Sequence, residues 1–197
     1  MIVIFRRTGQ RRYAVEAKRR LFPDLEMNPA PGYDGLMPHD LMHLVVEAQL
    51  GLTRGVFGQL ASGGDAGTFH PTFNANETSR QIARVRTRVK ARGKKLLREG
   101  RDESLRSERA TYICWYEWMA RSQSSERRLS ASSMAAQAKA IRDIGAATEL
   151  RALNDRKVSE ICEHLNELSS RWSRLEVGQS MAVRWPDLVV ATDPQSL

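Results

Sequence analysis

Ile2-Val3-Ile4-Phe5-Arg6-Arg7-Thr8-Gly9-Gln10-Arg11-Arg12-Tyr13-Ala14-Val15-Glu16-Ala17 sets two β-prone runs on either side of a Thr-Gly-Gln turn. Branched and aromatic side chains around a glycine turn predict a β-hairpin. At the other end of the chain, Ser180-Met181-Ala182-Val183-Arg184-Trp185-Pro186 alternates like a short strand after Gly178. Joined to the hairpin as a third strand, it brings both chain ends into one sheet. The long interior between them reads as mostly helical, so the sequence predicts an α+β fold, predominantly helical, with a small antiparallel sheet packed on a helix bundle. The predicted single globular domain spans 1–188, and 189–197 read as a flexible tail.

Within that interior, the residues from 21 to 38 carry Pro23, Pro29, Pro31, Gly32, Gly35 and Pro38, too many breakers for a regular element, and predict a loop. A helix over 38–50 follows, with Pro38 at its start and Gly51 as its C-cap. A second short helix is expected over 55–60, then a loop over 63–77 that holds His70. Residues 83–92 alternate with period two but also carry a helical stripe, Ile82, Val85, Val89 and Leu96; their length favours a helix. Further helices are expected over 105–120 and through Met134, Ala138, Ile141 and Ile144. The clearest periodicity is Val158, Ile161, Leu165, Leu168, Trp172, Leu175, a heptad-like seam with Asn154 or Asp155 as N-cap. It is short enough to be an intramolecular face, or it pairs two copies as a homodimer through the 158–175 helix.

The chain has 197 residues, of which 41% are hydrophobic and 27% charged, enough for a core. No run approaches the ~18 apolar residues of a membrane helix. The apolar start is too short for a secretory signal and its basic residues follow rather than precede it. With two isolated cysteines, Cys114 and Cys162, the composition suits a reducing, cytoplasmic setting and no contact with membrane.

The net charge is +8, and it is concentrated. Ten Lys or Arg residues between 80 and 101 face the single acid Glu99, while the rest of the chain is close to neutral. Arg84, Arg86, Arg88, Lys90, Arg92, Lys94 and Lys95 are therefore candidate phosphate contacts for nucleic acid. The competing expectation is a solvated helix neutralised by Asp102, Glu103, Glu108 and the acids of the C-terminal helix.

One stretch has the spacing of a chemical site. Pro38-His39-Asp40-Leu41-Met42-His43-Leu44-Val45-Val46-Glu47 carries two of the four histidines one helical turn apart. At ~100° per residue, His39, Asp40, His43 and Glu47 fall in roughly one quadrant, and His39 and His43 rise ~6 Å apart, within reach of a common Zn²⁺. His39, Asp40, His43 and His70 are the candidate metal ligands, with Asp40 and Glu47 as candidate catalytic carboxylates and Glu47, Gln59 or His70 completing the set. A metal-dependent hydrolase or lyase is the enzyme class such a site would serve. The same residues also read as a helix surface, with Asp40 at the positive helix end and His43 and Glu47 as an i, i+4 pair. The motif differs by one methylene from the His-Glu-x-x-His of zinc proteases.

His39-Asp40-Leu41-Met42-His43, with the glycine-containing stretch Gly51 to Gly58-Gln59, resembles the His-Asp-x-x-His motif of the ubiquinone-biosynthesis family of coenzyme Q proteins. That resemblance implies zinc held by His39, Asp40, His43 and a later glutamate. The glutamate position reads as Gln59 here, several residues further along, and the resemblance covers some twenty residues. A third expectation is a helical protein–protein interaction module built on the 158–175 seam.

Overall fold

The computed structural model describes residues 1–145 and 150–191. Its strands are β1 (Ile2–Gly9), β2 (Arg12–Lys18), β3 (Leu25–Ala30), β4 (His70–Pro71), β5 (Ser180–Arg184) and β6 (Val190–Ala191). Its helices are α1 (His39–Leu50), α2 (Val56–Ala61), α3 (Ser79–Glu99), α4 (Arg101–Ala120), α5 (Ser125–Gly145) and α6 (Asp155–Ser173). The sheet is antiparallel at every described pairing and runs β4-β3-β2-β1-β5-β6, so the expected hairpin and the expected C-terminal strand meet at β1. The α+β, predominantly helical architecture is as the sequence predicts.

Register follows from the period of two. Val183, Val3, Ala17 and Leu25 align across four strands, as do Met181, Phe5, Val15 and Met27 in the next row. These rows form the buried face against the helices. Arg6 and Glu16 form an ion pair on the opposite face.

The loop expected over 21–38 is corrected by β3. Leu25 and Met27 are buried while Glu26 and Asn28 alternate with them, a strand pattern that the neighbouring prolines obscure. Pro29 is tolerated because β4 pairs only with Leu25 and Glu26, leaving the far half of β3 an open edge that needs no N–H there. The 63–77 loop likewise contributes β4, and the tail expected from 189 begins with β6, paired to Ala182 and Val183 of β5. Residues 192–197 of that tail lie outside the described residues.

The ambiguous segment at 83–92 is helical, inside α3. A capping box starts that helix: the Thr78 hydroxyl accepts from the Gln81 N–H, and the Gln81 side chain accepts from the Thr78 N–H at 2.8 Å. In α6, the Asn154 side chain caps Lys157 N–H at 2.9 Å, and Val158, Ile161, Leu165, Leu168 and Trp172 are buried. The seam packs into this chain's own core. Helix α1 is the central element, buried along the whole of Leu41 to Glu47 and packed against α2, α4 and α6. Gly51 closes it in the left-handed conformation, φ 63°, as a C-cap requires. Among the described residues no helix is long and apolar enough to cross a membrane.

Candidate functional site

The ionisable stripe of α1 is divided among three neighbours. Asp40, in the first turn, bonds to the Tyr13 hydroxyl of β2, which also bonds to the Pro31 carbonyl. Burial raises the pKa of Asp40 above the usual carboxylate range despite that bond, and burial beside Asp40 raises that of Tyr13. Tyr13 in turn packs edge-on against Trp172 of α6, 6.1 Å between ring centres. Asp40 therefore ties helix to sheet.

Glu47 points the other way. It is completely buried, and its two oxygens accept Val56 N–H at 2.7 Å, Phe57 N–H at 2.8 Å and the Ser107 hydroxyl at 2.8 Å. The first two donors are orphan N–H groups at the start of α2, so Glu47 caps α2 from a different helix. Gly55 makes this approach possible, since a Cβ there would collide with the Glu47 carboxylate. Desolvation pushes Glu47 up to about 7, its hydrogen bonds from Ser107, Phe57 and Val56 pulling the other way.

His43 lies between them, 2% exposed. Its Nδ1 is 3.1 Å from Ser107 Oγ and 3.3 Å from Thr111 Oγ1, and its Nε2 faces Glu108 Oε2 at 3.6 Å. Ser107 donates its proton to Glu47, which leaves His43 Nδ1 two arrangements: it accepts from Thr111 with the ring proton on Nε2 toward Glu108, or it donates its own proton to the Ser107 oxygen. Burial, with His39 nearby, lowers His43 to about 3, leaving it neutral at pH 7. The His39 ring is exposed and meets His43 edge-on, centres 4.6 Å apart.

The structure thus keeps His39 and His43 together but turns Asp40 to the sheet and Glu47 to α2. Gln59 donates to Arg54 O at 2.9 Å and to Ser104 at 3.4 Å, bridging α2 and α4. His70 is exposed on β4, opposite Glu26 at the sheet edge, beside Arg86, Thr87 and Lys90. Among the described residues no group of three or more His, Cys, Asp or Glu side chains is arranged to hold a metal ion. Ser107, Glu108 and Thr111 all contact His43, and the sequence assigns none of them to this site. They sit on α4, and nothing in their spacing signals which helix they face.

The basic segment behaves differently. Taking Arg80 as zero, Arg98, Arg84, Lys95 and Arg88 lie at ~0° to ~80° around α3, and Lys94 and Lys90 at ~320° and ~280°. Val85, Val89, Leu96 and Gly93 fall between ~140° and ~220°, and the last three of these are the buried residues of the helix. The boundaries are held by aromatic rings: Arg86 stands 5.4 Å over Phe73, and Arg92 5.0 Å over Phe22. All of these cations are exposed. Lys95 pairs with Glu99 at 3.8 Å, and among the described residues Arg80, Arg84, Arg88, Lys90, Lys94 and Arg98 form no ion pair.

Of the acids expected to neutralise α3, Glu103 accepts from Arg54 N–H, Glu108 faces His43, Glu160 pairs with Arg156 and Lys157, and Glu167 with Arg171, while Asp102 forms no ion pair with α3 among the described residues. No family model matches the chain, and neither a curated protein nor a solved structure does.

Proposed function

We propose that this protein binds nucleic acid through the outer face of α3, by sequence-tolerant contact with phosphates. The observation that carries the reading is the exposed face formed by Arg80, Arg84, Arg88, Lys90, Lys94 and Arg98, of one sign and without acidic partners among the described residues. A 21-residue helix is ~31 Å long, enough to span several phosphates. Unpaired exposed cations release counterions from a polyanion at no cost in broken ion pairs. No base-reading motif accompanies them, which fits affinity without sequence preference.

The test is titration of labelled single- and double-stranded oligonucleotides over a salt series. Five or six phosphate contacts give a slope of log K against log salt of about −5. The triple variant Arg84→Gln/Arg88→Gln/Lys94→Gln should make that slope about 3 shallower while leaving the melting temperature in place. Absence of binding at low salt, equal affinity of the triple variant, or a preference for anionic lipid vesicles would overturn the reading. The divalent-metal reading of α1 draws less support, because Asp40, Gln59 and His70 are each committed or placed away from the His39–His43 pair.

A further inference from the structure

A second feature lies away from α3. A cavity of about 170 Å³ opens between the 32–37 loop, the start of α1 and the last turns of α4. Three aromatic residues line it, Tyr33, Trp115 and Trp118, with Met37 and Met42, and Asp34 and His39 are its polar side chains, Asp34 standing at the boundary with a neighbouring cavity. We infer that this cavity is an aromatic cage for a trimethylammonium group, with Asp34 as its counter-charge.

The volume is that of a compact apolar group: a buried cavity of ~150 Å³ accommodates a benzene ring. The wall chemistry selects the charge. Indole and phenol faces attract cations through their ring quadrupole, most strongly where water is excluded. The rings already show this outside the cavity, where the Arg127 guanidinium stands 5.2 Å from the Trp118 ring and Arg7 6.0 Å from the Tyr33 ring. Asp34 accepts Leu36 N–H at 2.7 Å and, among the described residues, forms no ion pair. An anionic ligand would meet that carboxylate, and a neutral one would leave its charge without a counter-ion. A primary ammonium would bring three N–H donors against a mostly apolar wall, at a desolvation cost that a methylated nitrogen avoids.

The cage is built rather than improvised. Arg7 donates to the Tyr33 hydroxyl at 2.6 Å, Ser169 of α6 donates to Leu36 O at 2.8 Å, and Trp118 Nε1 donates to Asn166 at 2.8 Å. The loop and one of the two indoles are thereby fixed by other elements.

Binding is read by tryptophan fluorescence and calorimetry on the full chain, with choline and a trimethyllysine peptide as ligands. Ethanolamine and the neutral carbon isostere 3,3-dimethyl-1-butanol are the comparators. The expected result is saturable binding of at least one trimethylammonium ligand, about tenfold or more tighter than either comparator. That binding should weaken at least several-fold in Trp115→Leu and in Asp34→Asn. Choline alone binding assigns a free small molecule, and the peptide alone binding assigns a methylated protein; both support the cage. Equal binding of the neutral isostere, no binding of either ligand at millimolar concentration, or undiminished binding by a folded Asp34→Asn variant would overturn it. Asp34→Asn keeps the test decisive should Trp115→Leu fail to fold.

Discussion

Glu47 titrates at about 7 against an ordinary 4.5, and His43 at about 3 against an ordinary 6.5, both because burial penalises the charged form. The consequences for stability have opposite sign. A carboxyl with a raised folded pKa contributes stability that is fully present below 4.5 and lost as pH rises through about 7. A histidine with a depressed folded pKa contributes stability present above 6.5 and lost as pH falls toward about 3. Between about 4.5 and 6.5 the two oppose one another in the native protein. Removing one exposes the other: Glu47→Gln should lose denaturation midpoint on acidification across that window, and His43→Gln should lose it as pH rises. Parallel pH profiles for the two variants would contradict this account.

Gly55→Ala is expected to cost more than a helix cap alone, because the new Cβ would displace a carboxylate that holds two orphan N–H groups and Ser107. Leaving those donors unsatisfied costs about 3 kcal/mol, or a melting temperature lower by roughly 10 °C. A calorimetric melt within a degree or two of the native protein would refute it. The α1 stripe shows what was legible at this scale. The quadrant of His39, Asp40, His43 and Glu47 could be read from spacing, but the partners that redirect each group, Tyr13, the start of α2 and Ser107, come from distant sequence with no pattern linking them to α1.

Among elements, the hairpin, the C-terminal strand, α1 with its glycine cap and α6 with its seam could all be read from the chain, because each carries a periodicity uninterrupted by breakers. β3 could not, since Pro29 and Pro31 mask an alternation only four residues long. What the periodicity of α6 left open was its partner, and the buried stripe Val158 to Trp172 now answers that. Leu168 is 2% exposed, so Leu168→Ala should cost about 2 to 5 kcal/mol and lower the melting temperature by roughly 5 to 15 °C. Size-exclusion elution of the folded variant should match the native protein. A shift in elution without loss of stability would instead mean that the seam serves an interface between copies.

For the molecule as a whole, charge and core are segregated. Excess cation sits on α3, of which only Val89, Gly93 and Leu96 are buried, while the near-neutral remainder builds the sheet and the α1, α4, α6 layer. Basic residues concentrated on one lightly embedded helix can meet a polyanion without disturbing the interior. The sheet has a further consequence, which lies in time rather than space. β1 is flanked by β2, made immediately after it, and by β5, made some 170 residues later. At typical synthesis rates of about 5 to 20 residues per second, the nascent hairpin waits roughly 10 to 35 s with one edge of β1 unmatched. The order of manufacture therefore leaves Val3 and Phe5 without their β5 neighbours while the helical interior is made, and the growing polypeptide must stay out of trouble for that interval.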